Sequence, residues 1–291
     1  MRLGYSITSF RDPGTAAAGA AAVLERARAA TAAGYDYVQA GDHHVVADGD
    51  YLQNVPMAAR LAGETDHVAA LFLLPLYDPV LVAEQLGTLD ALVDGLDVWC
   101  AVGGQTEAFD AFGVPLAERA PRLEESLGLI RRLWTEDAVT FDGEFYALED
   151  VSVNPTADPR VAIAGSAEPA VRRAGRLGDA WVATPSEDHD ALRRKIGWVE
   201  AGGGGDIIVR RDALVRPDGA AARERARSLL SSGYRGWPAD ADWPLVGDPA
   251  SVADELATLS NLGVDEVVVR PMDDAHAVET LEAVATARER V

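Results

Sequence analysis

Short apolar runs alternate with stretches whose apolar residues recur at helical spacing, from the start of the chain to its end. Runs of this length, bounded by turn-forming residues, are typical of buried strands. The predicted strands are 2–8, 35–41, 67–75, 96–104, 160–166, 179–184, 206–215 and 264–271. Eight strands separated by helices predict an α/β fold, a (β/α)8 TIM barrel forming a single domain over residues 1–291. A doubly wound open sheet is the alternative, which the lack of a G-x-G-x-x-G pattern after the first strand disfavours.

Two segments interrupt the alternation. Residues 138–156 show period-two alternation around Asp142-Gly143, a hairpin turn signal, and predict a β-hairpin insertion after the fourth βα unit. Residues 232–248 contain two Trp-Pro steps and are too irregular for a barrel strand. This second segment is interpreted either as a lid over the barrel mouth or as a surface loop.

Charge is the unusual feature of the composition. The chain has 47 acidic and 26 basic residues, a net charge of −21, and its single lysine is Lys195. Such a surface disfavours nucleic acid and anionic membranes as partners, and it suggests a halophilic host whose salt screens the repulsion. No apolar run reaches a membrane-spanning length and no secretory signal begins the chain, which predicts a cytoplasmic protein. The lone Cys100 excludes an intramolecular disulfide and a cysteine metal cluster.

Functional side chains of a TIM barrel lie at the C-terminal ends of its strands. The second strand ends in Asp42-His43-His44, which is open to a metal, an acid/base or a purely structural interpretation. Adjacent residues of a strand point to opposite faces, and no second His and carboxylate cluster completes a ligand shell. We therefore predict no metal site and at most one acid/base histidine here.

Two glycine-containing strand ends are further candidates. Gly165-Ser166 lies where a strand turns into a helix, and such a turn is either a phosphate-binding pocket or an ordinary helix N-cap. Gly103-Gly104 permits a ligand to approach the backbone, although a tight turn accounts for it equally well. Tyr5 is a candidate for the substrate pocket, with hydrophobic packing as the alternative.

Four stretches in consecutive order resemble a known family. They are GYDYVQAGDHH, LLPLYDPVLVAEQLGTLDALVDG, AVGGQTEAFDAFGVPLAERAPRLEESLGLIRRLWTEDAVTFDGEFYAL and LVGDPASVADELATLSNLGVDEVVV. With these stretches the chain resembles the luciferase-like flavin-dependent oxidoreductases, which include bacterial luciferase, flavin monooxygenases and deazaflavin-dependent oxidoreductases. The resemblance implies a barrel with an insertion, a homodimer, and two-electron chemistry on a small organic substrate. It also implies a cofactor, FMN or 8-hydroxy-5-deazaflavin, of which the sequence slightly favours FMN.

The resemblance assigns roles to individual residues. It makes His43 the catalytic acid/base and leaves His44 a structural role. The resemblance implies that Gly165 and Ser166 bind the cofactor phosphate. It also implies a non-prolyl cis peptide bond at Ala70-Leu71. The implied cofactor-binding residues are Asp42, Ala70, Leu71, Leu73, Gly103, Gly104, Gly165 and Ser166. Apart from the resemblance, Tyr77 is, like Tyr5, a candidate for the substrate pocket, with hydrophobic packing as the alternative.

The chain departs from the family at the phosphate site. Gly103 stands where bacterial luciferase has an arginine, and Pro169 stands where it has a threonine, so that one charged phosphate partner is missing. Arg176 and Arg270 are possible substitutes. Two other functions stay open at this point: a non-catalytic flavin-binding family member or partner subunit, and a metal-dependent barrel hydrolase.

Overall fold

Strands and helices alternate along the chain, and a computed structural model describes residues 1–11, 16–47 and 49–291. The strands are β1 Arg2–Ser6, β2 Phe10–Arg11, β3 Tyr37–Ala40, β4 Asp50–Tyr51, β5 His67–Phe72, β6 Gly95–Cys100, β7 Val139–Asp142, β8 Ala147–Val151, β9 Arg160–Ala164, β10 Ala180–Ala183, β11 Asp206–Val215, β12 Leu245–Gly247 and β13 Glu266–Pro271. The helices are α1 Ala16–Ala32, α2 Asn54–Leu61, α3 Pro79–Asp90, α4 Thr106–Phe112, α5 Arg119–Thr135, α6 Glu168–Leu177, α7 His189–Gly202, α8 Gly219–Ser231, α9 Pro249–Asn261 and α10 Ala277–Arg288.

The predicted fold class is confirmed. Eight parallel strands, β1, β3, β5, β6, β9, β10, β11 and β13, close into a TIM barrel with alternating helices. The predicted insertion is confirmed as well, because β7 and β8 pair antiparallel after the fourth βα unit and Gly143 N donates to Tyr146 O at 3.0 Å in their turn. In the part of the chain that the structure describes, no helix is both long and apolar enough to cross a membrane.

The chain forms two compact units, and its interpretation as one domain stays a prediction. Unit 1 consists of Met1–Thr8, Ala21–Val38 and Ile163–Val291, and unit 2 consists of Ser9–Ala20 and Gln39–Ala162. In unit 1, β11 lies between β10 and β13, and β13 also pairs with β1. In unit 2, β5 pairs with β6 over its whole length.

Strand register in unit 1 decides which side chains share a face. Gly4 is in register with Val268, and a Cβ on Gly4 would lie 2.5 Å from the Tyr37 ring, so only glycine fits beside this tyrosine. The Tyr37 hydroxyl donates to Glu266 at 2.9 Å from the same face. Because side chains alternate along a strand, the residue after Gly4, Tyr5, takes the opposite face, where it is fully buried.

Several short elements were not predicted. Helix α2 was missed although Asn54, Met57, Ala58 and Leu61 are buried at helical spacing, and α4 is a short helix of seven residues. The two-residue strands β2 and β4, and β12 inside the irregular segment 232–248, are too short for a clear period of their own. Their pairing is non-local: Phe10 pairs with Tyr51, and Leu245 pairs with Ala213. Elements of two or three residues are stabilised by such distant partners and not by a local sequence pattern.

Candidate functional site

The polar end of β3 is organised around Asp42, whose carboxylate is fully buried. One carboxylate oxygen accepts a hydrogen bond from Leu73 N at 2.8 Å, and the Tyr77 hydroxyl lies 3.0 Å from both oxygens. The Leu73 N–H precedes a short 3₁₀ turn and has no helical partner of its own, so the carboxylate satisfies it. Through these hydrogen bonds the buried Asp42 side chain fixes the position of the loop after β5.

His44 belongs to the same network. Its Nε2 lies 3.0 Å from the Tyr77 hydroxyl and 3.2 Å from Asp42 Oδ1, and its ring packs 4.9 Å from the Phe112 ring. Burial, followed by the charge of Asp42, raises the pKa of Tyr77, which therefore stays a protonated donor at neutral pH. The structure thus gives His44 a packed position with defined partners.

His43 is held differently. Its side chain is half-buried, its ring lies 5.4 Å from the Tyr51 ring, and its backbone carbonyl accepts from Gln53 Nε2 at 3.2 Å. Among the residues that the structure describes, neither ring nitrogen of His43 has a hydrogen-bond partner. Burial, followed by the neighbouring His44 charge, lowers the pKa of His43. A neutral imidazole with free nitrogens is suited to proton transfer.

Gly103 and Leu73 lie beside an apolar surface in unit 2. Gly103 has φ +68°, and a Cβ there would lie 3.2 Å from the Phe109 ring and 3.5 Å from Leu73 Cδ1. A side chain at residue 103 would therefore be strained. Gly104 is exposed, and a Cβ there would meet nothing within 4 Å. Because Phe109 is buried, the half-buried Leu73 is the apolar side chain that this segment presents next to Gly103.

The cis peptide expected at Ala70-Leu71 is not observed. Residues 67–72 form a regular strand in which Ala70 is in register with Val98. Among the described residues the cis peptide bond is Asn154-Pro155, so the expectation is wrong for Ala70-Leu71. Ala70 is fully buried, and the Leu71 carbonyl accepts from Asn54 Nδ2 at 2.7 Å.

Ser166 in unit 1 is not the N-cap of α6. The N-cap is Ala167, which makes no side-chain capping hydrogen bond, so the N-cap interpretation of Ser166 is wrong. The exposed Ser166 hydroxyl instead donates to Glu187 at 3.0 Å and accepts from Lys195 Nζ at 2.8 Å. Gly165 is needed for close packing, because a Cβ there would lie 2.7 Å from Ala170 Cβ.

Lys195 and Glu187 form a buried ion pair that the sequence analysis did not assign to the site. Thr184 also donates to Glu187, at 2.6 Å. Burial alone would raise the pKa of Glu187, but hydrogen bonds from Lys195, Thr184 and Ser166 hold it below its ordinary value. One signal was available in the sequence: Lys195 is the only lysine among 26 basic residues.

Arg211 supports this ion pair from β11. Its side chain is only 1% exposed, and its guanidinium donates to the carbonyls of Glu187 at 2.8 Å and Pro185 at 3.2 Å. Burial lowers the pKa of Arg211 to about 10. The bonds fix the loop between β10 and α7, which presents Glu187 to Lys195.

The aromatic candidates fall in different surroundings. Tyr5 is 0% exposed in the core of unit 1, whereas Tyr77 is half-buried in the Asp42 network. In the irregular segment, the Trp237 ring lies 5.6 Å from Trp243 and 5.7 Å from Tyr234. In the described parts of the chain, no group of three or more His, Cys, Asp or Glu side chains is arranged to hold a metal ion.

Comparison with known proteins identifies the family. The sequence profile of the luciferase-like monooxygenases matches residues 1–266, and the chain belongs to this family. It is 32% identical over 173 residues to an uncharacterized protein of Mycobacterium tuberculosis, covering 57% of this chain and 59% of that protein. It is 35% identical over 122 residues to an F420-dependent glucose-6-phosphate dehydrogenase of Intrasporangium calvum, covering 39% of this chain and 36% of that protein. The matched part thus spans less than two thirds of either relative.

Solved structures agree with the fold. The monooxygenase RslO1 from Streptomyces bottropensis superposes with a TM-score of 0.85 at 21% identity, covering 98% of both chains. An FMN complex of the type II Baeyer-Villiger 3,6-diketocamphane monooxygenase from Pseudomonas putida gives 0.81 at 19% identity, covering 98% of this chain and 97% of that chain. At these identities the likeness shows the fold alone. Both cofactors expected from the sequence, FMN and the deazaflavin F420, occur among these similar proteins.

Proposed function

We propose that the chain is a two-electron oxidoreductase that uses FMN or a deazaflavin to act on a small organic substrate. The observation that carries this proposal is the contrast at the end of β3. Asp42, His44 and Tyr77 bind one another, whereas the nitrogens of the neighbouring His43 ring have no hydrogen-bond partner among the described residues. A flavin-type reaction needs a proton donor or acceptor held near an apolar surface, and this arrangement supplies one.

The residues present fit such a cofactor. In unit 2, the half-buried Leu73 side chain, packed against the buried Phe109 and next to Gly103, offers an apolar contact that suits an aromatic ring system. In unit 1, the Ser166 hydroxyl and the Lys195 ammonium offer hydrogen bonds to a phosphate at the start of α6. Lys195 is thus a candidate for the missing charged partner. The Glu187 carboxylate already binds the Ser166 hydroxyl and the Lys195 ammonium, so a phosphate bound there competes with this carboxylate.

The mechanism assigns separate tasks to the chain's own residues. When bound, the cofactor supplies acceptance and donation of an electron pair. His43 takes up or releases the accompanying proton at a ring nitrogen, which its lowered pKa favours in the accepting direction at neutral pH. Asp42 holds the Leu73 backbone and Tyr77 in place, and Tyr77 in turn orients His44.

Titration of the cofactor-free protein with FMN and with a deazaflavin tests the proposal. We expect saturable binding of one of them, followed by changes in its absorbance spectrum. Exchanging His43 for Ala should leave binding intact and lower turnover about 10²- to 10⁴-fold, the usual contribution of a positioned acid/base. His189→Ala is the matched control, because His189 is half-exposed and pairs with Glu255 at 2.8 Å. Binding with unchanged turnover in His43→Ala would exclude the role of His43, and binding with no turnover in the wild type would favour a non-catalytic family member.

Further expectations from the sequence belong to this proposal. A homodimer is expected by family resemblance and is tested by light scattering in solution. A cytoplasmic location in a host with high internal salt is expected from the net charge of −21. A melting series from low to molar salt tests the latter, and a melting temperature that does not rise with salt contradicts it.

A further inference from the structure

Three arginines converge on one buried carboxylate at the C-terminal ends of β11 and β13. Asp212 is 0% exposed and is in register with Arg270, so the two side chains share a face of the sheet. Arg210 lies two residues before Asp212 and takes the same face. Arg235 reaches the carboxylate from the 3₁₀ turn Tyr234–Gly236. We call Arg210, Asp212, Tyr234, Arg235 and Arg270 the arginine cluster.

The carboxylate does not balance the guanidinium charges around it. Arg210 Nε lies 3.6 Å from Asp212 Oδ1 and Arg235 Nε lies 3.5 Å from Asp212 Oδ2, both longer than a good charge-assisted hydrogen bond. The close partner of Asp212 is the Tyr234 hydroxyl, at 2.7 Å. An excess of positive charge at a barrel opening is conspicuous in a chain of net charge −21.

Buried donors of the cluster lack acceptors. Among the described residues, three donors of the cluster, Nε and Nη2 of Arg210 and Nε of Arg270, are buried without a hydrogen-bond partner, against one unpaired acceptor, Asp212 Oδ1. Buried N–H groups in proteins are nearly always paired. The unpaired donors of the arginine cluster therefore indicate a ligand that accepts hydrogen bonds. The side chains of Arg210 and Arg235 keep 21% and 29% exposure, which leaves the cluster accessible from outside.

The backbone is shaped to bring Arg235 to the cluster. Arg235 has φ +53°, in the left-handed region, between Gly233 at +88° and Gly236 at +69°. A non-glycine residue there is strained, and such strain concentrates at functional sites. The Arg235 guanidinium also lies 5.4 Å from the centre of the Trp237 ring, which fixes its direction.

Charge repulsion between the arginines of the cluster also favours binding of an anion. Burial lowers the pKa of Arg210 to about 10; Asp212 opposes this shift, while Arg235 and Arg270 add to it. Burial and then Arg270 also lower the pKa of Arg235. A second negative group would relieve this repulsion and satisfy the unpaired donors.

We propose that the arginine cluster binds an oxyanion, a phosphate or a carboxylate, carried by the substrate. Planar guanidinium groups with free N–H donors bind such groups through paired hydrogen bonds, as the geometry here provides. The assignment to the substrate rests on the proposed oxidoreductase function, whereas the oxyanion site itself does not. The substrate class is therefore an organic acid or a phosphate ester.

Titration of the cofactor-free protein with inorganic phosphate and with acetate, at constant ionic strength set by chloride, tests the site. We expect saturable binding of at least one probe, measured by calorimetry, and at least tenfold weaker binding in Arg270→Gln. Arg193→Gln is the matched control, because it removes the same charge from an exposed helix position with 65% side-chain exposure. Arg270→Lys keeps the charge but lacks the planar guanidinium, so its affinity for the probe should lie between those of Arg270→Gln and Arg193→Gln. Circular dichroism verifies that each variant folds. No binding in the wild type, or equal binding in Arg270→Gln, overturns the proposal.

The cofactor's own phosphate is the other source of an oxyanion, and a second arm separates it. Riboflavin lacks the phosphate of FMN, so the ratio of their affinities reports a phosphate contact. If the cluster binds the substrate, this ratio is the same in Arg270→Gln and wild type, and phosphate still binds to protein saturated with cofactor. A ratio that collapses in Arg270→Gln overturns the assignment to the substrate. Failure of the oxidoreductase function alone would appear differently, as phosphate binding without binding of either cofactor.

Discussion

Around Asp42 each oxygen of the buried carboxylate meets a donor at 2.8 to 3.0 Å, whereas around Asp212 buried guanidinium donors are left without acceptors. Both regions are built on one fully buried aspartate with a tyrosine hydroxyl against it. In the first network the carboxylate oxygens are paired, and the neighbouring His43 ring has no hydrogen-bond partner among the residues that the structure describes. In the second network, the unpaired guanidinium donors are satisfied only when an anion binds. Buried polar groups thus serve either to position a catalytic side chain or to bind a ligand, according to whether their hydrogen bonds are satisfied.

The largest expected effect is on stability in Asp212→Ala. Removing this carboxylate leaves neighbouring guanidinium groups without their one negative partner, and breaking a buried ion pair in this way costs about 3–5 kcal/mol. Urea unfolding measures the loss in the free energy of unfolding. Because a bound anion takes over the role of the carboxylate, added phosphate should restore more stability to this variant than to wild type. If phosphate restores no stability to Asp212→Ala, the proposed difference between the Asp42 and Asp212 regions is contradicted.

A slightly smaller loss is expected for Asp42→Ala. The substitution leaves the Leu73 N–H and the Tyr77 hydroxyl unpaired, and unsatisfied buried groups cost about 1–3 kcal/mol each. Urea unfolding should therefore show a loss of about 3 kcal/mol that phosphate does not reverse. Asp78→Ala is the control, since this exposed N-cap of α3 should cost only about 1 kcal/mol. Equal losses in the two variants would contradict the central role of Asp42.

The two tyrosines provide a more conservative comparison. Tyr77→Phe and Tyr234→Phe each remove one hydroxyl that contacts a buried aspartate, and each should cost about 1 kcal/mol. Only Tyr77→Phe should also change the pH profile of turnover, because Tyr77 contacts Asp42 and His44 next to His43, whereas Tyr234 contacts Asp212. Stopped-flow assays over pH 5 to 9 check this, and an identical shift in both variants would count against separate roles.

The fold was predictable because it follows from periodicity. Each barrel strand has its own apolar run and each hairpin strand its own alternation, so local pattern and tertiary structure agree. The C-terminal ends of strands then point to Asp42, His43 and Ser166 without any knowledge of contacts. The cis peptide at Ala70-Leu71 was an error of a different kind, because it was transferred by resemblance onto a bond that the strand register keeps regular.

The arginine cluster was not predictable in the same way. Arg210 and Arg211 are adjacent in the sequence, yet alternation sends one to the cluster and the other to the loop that carries Glu187. Arg235 lies in a segment without a period, and its approach to Asp212 depends on its positive φ. Lys195 pairs with Glu187 across eight residues, from helix α7 to the loop before it, and with Ser166 across 29 residues. Contacts of this kind depend on tertiary packing and leave no local signal.

The smallest expected effect is a pH dependence of stability from His43. Its pKa in the folded protein is lower than the unfolded value of about 6.5. The unfolded chain therefore binds more protons, so that stability is retained above the unfolded pKa and decreases as pH falls through and below it. Unfolding free energies measured from pH 7.5 to 5 should decrease less steeply in His43→Gln than in wild type. His189→Gln, at a half-exposed position, is the control, and an identical slope in His43→Gln and wild type would mean that burial does not hold His43 neutral.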